Sequence, residues 1–144
     1  MPRSGVKNEQ QAPGIDVCTV QVRANDFDWS GSLNNSAYLE LFEQGRWSWA
    51  RTNGISEVTT DVVAVVSEIS VHFKSPIKWN PIGFVTVETK LRKYSPYSFC
   101  VDQKIYDDRI LAATGRLRLA LVKGNGGELI RSDHLFRKYV GQVS

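Results

Sequence analysis

Asp28 stands in the stretch VRANDFDWSGSLNNSAYLELFEQGRW, residues 22–47, a few residues ahead of what reads as a helix start at Asn34-Asn35. The first turn of a helix carries backbone N–H groups without partners, and the aligned peptide dipoles make that end attractive to negative charge. A carboxylate beside it supplies the two parts an acyl-transfer site needs. One is a nucleophile or base; the other is a set of donors for the oxyanion of a tetrahedral intermediate. The plainer reading is an Asx-turn in which Asp28 only closes its own loop. Spacing alone leaves both open.

Other chemistries fit less well. Asp26, Asp28, Ser30 and Gly31 imitate the first half of a calcium loop, but the twelfth position, where a bidentate Glu belongs, is Ala37. His72 and His134 invite a search for a Ser-His-Asp triad, yet the chain has no Gly-x-Ser-x-Gly elbow. Cys18 and Cys100 lie far apart and form no CxxC pair, so neither a zinc site nor a disulfide framework is indicated. No metal and no cofactor is expected. Asp26 is read as a solvated or turn-forming residue.

A strand must deliver the chain to this loop and a helix must leave it. Residues 17–24 alternate as a strand, with Cys18, Val20 and Val22 on one face. Tyr38, Leu41, Phe42, Gly45 and Trp49 then recur at helical spacing, Asn34 or Asn35 can cap the helix, and Gly54 can end it. Residues 62–74 begin as an apolar run and resolve into alternation. Ile69, Val71 and Phe73 point inward there, while Glu68, Ser70, His72 and Lys74 point outward. Residues 84–93 and 98–106 read as a hairpin, residues 110–123 as a further strand, and residues 133–139 as a short, weakly signalled helix. One long helix with four or five strands joined by hairpin turns is an α+β arrangement, an antiparallel sheet curled around the helix. Long edge strands in such a sheet invite pairing with a second copy.

Length and composition agree. At 144 residues, 42% hydrophobic and 23% charged, the chain is expected to be one domain over residues 14–144, with a loose polar tail over 1–13. A net charge of +3 is too small to argue for nucleic acid but suits an anionic small molecule if the charges gather at one mouth. No apolar run is long enough to cross a membrane and no apolar signal segment follows Met1, so a cytoplasmic setting is expected.

The ordered residues Asp28, Gly31, Ser32, Leu33, Asn34, Asn35, Tyr38, Leu39, Glu43 and Arg46 resemble a known pattern. It is the aspartate loop, Asn-Asn stretch and Glu-x-x-Arg helix of hotdog-fold acyl-CoA thioesterases, in the 4-hydroxybenzoyl-CoA thioesterase-like branch. The chain is most similar to long-chain acyl-CoA thioesterases of the FadM type, which share VR, the Asp, NN, YLE and the Glu-x-x-Arg-Trp ending. The likeness continues through residues 65–76 and more loosely to residue 122. Where the family carries a His after the glycine, this chain has Ser32.

The resemblance implies a hotdog fold, about five strands wrapped around one central helix, and hydrolysis of a thioester to a carboxylic acid and a thiol. Asp28 would act on the thioester carbonyl directly or through water, and the backbone N–H of Asn35 would polarise the carbonyl oxygen. Glu43 occupies the helix on which a related lineage places its catalytic carboxylate; its simpler reading is an ion pair with Arg46 or Arg51. Asn34 serves as a cap and loop ligand, and Trp29 borders the ligand. Tyr38, Phe42 and Trp49 are assigned to the core. Lys74, Arg92 and Lys93, with Lys78, Arg116 and Arg118, could meet the carrier's phosphates if they cluster at one pocket mouth. The carrier is either coenzyme A or an acyl carrier protein, and the expected assembly is a homodimer or homotetramer. The alternatives are a carrier-protein thioesterase of a biosynthetic pathway, or a non-catalytic hotdog module that only holds an acyl thioester. In the catalytic reading, the carboxylate and the helix's opening amides share one cleft.

Overall fold

A computed structural model describes residues 14–55 and 61–137; the expected N-terminal tail and the end of the expected last helix lie outside them. Strand β1 (Asp16–Gln21) leads through a single 3-10 turn (Ala24–Asp26) and the Asp28 loop into helix α1 (Asn35–Thr52). The remaining strands are β2 (Val62–Phe73), β3 (Phe84–Tyr94), β4 (Phe99–Asp107), β5 (Ile110–Lys123) and the two-residue β6 (Leu129–Ile130). A final 3-10 turn spans Asp133–Leu135. The sheet order is β1-β3-β4-β5-β2, with β6 beside β5, and every pairing is antiparallel.

Helix α1 lies across β1, β3 and β4. Its apolar stripe (Ala37, Tyr38, Leu41, Phe42, Gly45 and Trp49) is buried, as the helical spacing predicts. Two features set the depth of that packing. The Phe42 ring rests over Gly115, where an added β-carbon would lie 3.1 Å from it. One turn on, Gly45 lets the helix backbone approach β3 so closely that a β-carbon would sit 2.4 Å from Val87 Cγ1. Beneath this crossing Gln103, 1% exposed, donates from Nε2 to the Phe42 carbonyl (2.9 Å) and to Thr89 Oγ1 (2.8 Å). Its Oε1 accepts from Arg46 at 3.1 Å. Every polar end of this buried amide is therefore used, and it ties α1 to β3 and β4. Toward the helix C-terminus, Trp49 stacks on Phe99 and on Phe136 (centroids 6.3 Å apart in each pair), and Phe136 is fully buried.

Strand β2 departs from expectation. Ile69, Val71 and Phe73 do face the helix side, opposite Leu117, Gly115 and Ala113 of β5. Ile69 and Phe73 are nevertheless about half exposed; Val71 packs against the core, and Phe73 meets it only through an edge-to-face contact with Tyr38 (centroids 5.0 Å apart). The reason is position: β2 is the edge of the sheet, outside the strands on which α1 lies. The described part of the expected final helix forms a 3-10 turn at Asp133–Leu135, and β6 is an element that the sequence pattern does not indicate.

Candidate functional site

The Asp28 loop is a built structure. Its two ends are joined by a bridge between Phe27 and Leu33, and Ser32 bridges to Lys78 in the segment before β3. Backbone bonds from Asp28 N–H to the Ser32 carbonyl (2.8 Å), Leu33 N–H to the Ile77 carbonyl (2.9 Å) and Trp79 N–H to the Gly31 carbonyl (2.9 Å) hold it in place. Gly31 takes a φ of 84°, a conformation that glycine adopts without the β-carbon clash.

Inside this loop, Asp28 Oδ1 accepts three hydrogen bonds: Ser30 N–H at 2.9 Å, Ser30 Oγ–H at 2.6 Å and Ser32 N–H at 3.1 Å. The Ser30 hydroxyl, the two amides and the charge of Lys78 hold the carboxyl below the usual carboxylate range. Asp28 is thus ionised, with one oxygen fixed by the loop and Oδ2 without a hydrogen-bond partner among the described residues. The turn-closing role and the availability of a carboxylate oxygen coexist in one residue. Asp26 is turn-forming as expected: it accepts from Arg23 N–H at 2.9 Å and from the Arg23 guanidinium at 3.1 Å, which lowers its pKa against the opposing effect of burial.

Helix α1 begins at Asn35 with Asn34 at the cap position, but the Asn34 side chain makes no capping bond. Its backbone carries the junction instead, N–H to the Asp26 carbonyl at 2.8 Å and carbonyl to Ala37 N–H at 3.0 Å. The opening amides, Asn35 among them, are left as donors without a side-chain cap.

The remaining candidates are spread out. Trp29 is 99% exposed at the loop tip. Glu43 lies eight residues further along α1 than Asn35, about 12 Å at the helical rise. There it lines an apolar groove of about 190 Å³ with Arg46, Trp47, Ala64, Val66 and Leu119. The expected ion pair of Glu43 with Arg46 or Arg51 is not formed; Arg46 turns inward to Gln103. Among the described residues, Asp28 is exposed and lines neither the groove beside Glu43 nor the depressions of the outer face, so the cleft expected to join the carboxylate to the helix start is not seen there.

Lys74, Arg92 and Lys93 lie on the outer face of the sheet, away from α1. A β-bulge between Leu91 and Lys93 brings Arg92 and Lys93 side by side. They share a depression of about 290 Å³ with Glu68, Arg116 and Arg118, and it adjoins one of about 490 Å³ lined by His72, Lys74, Lys90, Lys104 and Arg116. Asp102 is engaged by Arg116 (3.5 Å) and Arg92 (3.9 Å), and Glu68 by Arg118 (3.3 Å). Lys74, Lys90, Lys93 and Lys104 are in no ion pair among the described residues, so this face carries excess positive charge. The cations do cluster, with the exception of Lys78, whose Nζ donates to Ser32 Oγ at 2.8 Å beside Asp28. Sequence reasoning did not connect Lys78 with the loop, because its place there depends on a bridge between distant residues.

Among the described residues, no group of three or more His, Cys, Asp and Glu converges as metal ligands would, and no helix is long and apolar enough to cross a membrane.

One long helix laid on an antiparallel sheet of order β1-β3-β4-β5-β2 defines a hotdog fold. The chain belongs to the thioesterase-like superfamily, whose family model matches residues 22–135, and it is a thioester hydrolase. Solved structures share the fold. A probable thioesterase from Bartonella henselae is 23% identical with a TM-score of 0.72, covering 82% of this chain and 98% of its own. A DHNA-CoA thioesterase from Staphylococcus aureus is 22% identical with a TM-score of 0.75, covering 87% and 85%. A 1,4-dihydroxy-2-naphthoyl-CoA thioesterase from Synechocystis is 17% identical with a TM-score of 0.70, covering 88% and 95%. No curated protein matches the chain in sequence.

Proposed function

We propose that the chain hydrolyses an acyl thioester with Asp28 as the catalytic carboxylate and the N–H of Asn35 as the oxyanion donor. The observation that carries this reading is the Asp28 carboxylate itself. It is ionised, pinned through one oxygen by Ser30 and Ser32, and carried on the loop that opens directly into the uncapped start of α1. The free Oδ2 attacks the thioester carbon or takes a proton from the attacking water, and the oxyanion forms against the helix's opening amides.

The acyl group runs from that point along the flank of α1, past Leu39, toward the apolar groove beside Glu43 and Trp47. An apolar groove about 12 Å along α1 from Asn35 supports an extended acyl chain, as in the long-chain enzymes of the FadM type. Trp29 and Asn34 border the thioester end. Glu43 lies too far along the helix to share the carbonyl with Asn35, and its role is at the groove mouth. The cationic outer face, with Lys74, Arg92 and Lys93, attracts the anionic carrier, coenzyme A or an acyl carrier protein.

Free thiol release from acyl-CoA substrates of short, medium and long chain, and from one aryl-CoA, tests this reading. Turnover is expected to rise with chain length. Asp28→Asn should lower kcat by about 10²–10⁴-fold while leaving the fold intact. Full activity in that variant removes Asp28 from the mechanism, and turnover that does not rise with chain length removes the extended acyl chain from the reading.

A further inference from the structure

Lys78 is drawn to the Asp28 loop by the fold and not by local sequence. The Ser32–Lys78 bridge, flanked by the Leu33–Ile77 and Trp79–Gly31 backbone bonds, fixes the Lys78 backbone against the loop. Its ammonium then donates to Ser32 Oγ at 2.8 Å, while the amide of that same Ser32 donates to Asp28 Oδ1 at 3.1 Å. A continuous chain of contacts therefore runs from the lysine charge through one serine to the carboxylate.

The other charged groups around the loop are already committed. Asp26, on the preceding 3-10 turn, is bound by Arg23. Glu40, on α1, meets the same guanidinium at 3.5 Å. Lys78, from the segment before β3, is the cation whose field reaches Asp28.

We infer that Lys78 is a positioning residue for Asp28, fastening the loop through Ser32 so that one carboxylate oxygen stays engaged and the other stays open to substrate. This rests on the reading of Asp28 as the catalytic carboxylate. Lys78 itself neither attacks nor transfers a proton. Its positive charge favours the ionised carboxylate, so its removal weakens Asp28's hold on the charged form and moves loss of activity to higher pH. Arginine keeps the charge and restores the effect.

The test combines a rate profile with a direct titration. The pH dependence of kcat and KM is measured from pH 2.5 to 8, a window that spans the acid limb of a carboxyl held below its ordinary value, for wild type, Lys78→Met, Lys78→Arg and Ser32→Ala. The substrate is the acyl-CoA that the wild type turns over fastest. The ¹³C signal of the Asp28 carboxyl is titrated in the same proteins. For Lys78→Met the acid limb of kcat and the ¹³C midpoint move together to higher pH. Activity at the foot of that limb falls about two- to fivefold, as for an exposed charge pair, with KM unchanged. Lys78→Arg returns both to wild-type values. Ser32→Ala keeps the backbone bridge and shifts both in the same direction, which keeps the inference testable should Lys78→Met fail to fold. An unmoved ¹³C midpoint in Lys78→Met and Ser32→Ala, or a raised KM with an unmoved limb, overturns it. Full activity of Asp28→Asn would instead sink the catalytic reading, leaving the ¹³C titration as a separate measure of the Lys78–Asp28 coupling.

Discussion

Gly45 lies at the closest approach of α1 to the sheet, and two opposed effects decide what a methyl group would do there. Alanine gains about 1 kcal/mol over glycine in helix propensity. Against it, the new carbon would lie 2.4 Å from Val87 Cγ1, 3.1 Å from Gln103 Nε2 and 3.2 Å from Thr89 Oγ1. Valine is stiff at χ1, and the two polar atoms are bonded to each other, so none can move aside without loss. Overpacking of this kind costs about 1–3 kcal/mol, and disturbing the Gln103 bonds adds to it. Gly45→Ala should therefore be destabilising by about 1–2 kcal/mol net, read as a lower urea midpoint. A raised midpoint would mean that α1 lifts from β3 at little cost. The same scale shows what the sequence could carry about the site. Asp28, Gly31 and Asn35 are legible because they lie within one loop and the helix that follows. Lys78 is not, since only the fold brings it against Ser32, 46 residues away. The inward turn of Arg46 is hidden in the same way: i,i+3 spacing offers Glu43, whereas the buried Oε1 of Gln103 takes the guanidinium.

Among the elements, the C-terminal turn shows how a weak sequence signal is made firm by charge. Phe136 is fully buried against Trp49, Tyr94 and Phe99, and the turn that seats it is held by Asp133 between Arg131 (3.0 Å) and Arg137 (3.3 Å). The two guanidinium groups, Arg131 foremost, lower the Asp133 carboxyl from 3.8 to about 2. Because the folded-state value is the lower one, the contribution to stability is complete above the ordinary carboxylate range and is lost as pH falls through about 2. Asp133→Asn should therefore lower Tm at pH 6, with the gap from wild type closing progressively below pH 4; an equal gap at both ends of that range would assign the effect to packing. The four long strands from β2 to β5 and helix α1 were legible because alternation and helical spacing record which face is covered, and Gly54 and the hairpin turns punctuate them. Residues 133–139 read as a helix in the sequence because a short apolar stretch has no period to distinguish it from the 3-10 turn at Asp133–Leu135. β6 has two residues, too few to alternate.

Among the described residues of the whole molecule, two uncovered surfaces of opposite character stand out. Of the two edges of the sheet, β1 and β2, the longer is β2, with 12 residues, of which Val63, Val65, Val66, Ile69 and Phe73 are each at least 40% exposed. Beside it on the helix side, Leu39 and Trp47 of α1 are 45% and 58% exposed. An edge strand of this length and apolarity pairs with another strand unless charge or proline prevents it, and β2 carries only Glu68 and His72 as ionisable groups. A second copy meeting it across a two-fold axis would continue the sheet and cover the flank of α1, forming a cleft wall that the single chain lacks. The outer face behaves differently. Its four unpaired lysines would confront the same charges if two sheets stacked back to back, so the arrangement expected is a dimer through β2 and not a tetramer through the outer face. Light scattering at micromolar concentration should then give twice the chain mass of 16.2 kDa. Ile69→Glu sets a charge on the half-exposed helix-side face of β2 and should shift the mass to one chain at the same concentration. Loss of thioester turnover in that monomer, with Tm of the isolated fold retained, is the outcome that makes the second copy part of the working site. A wild-type monomer that turns over thioesters at full rate would show that the exposed edge has no part in catalysis.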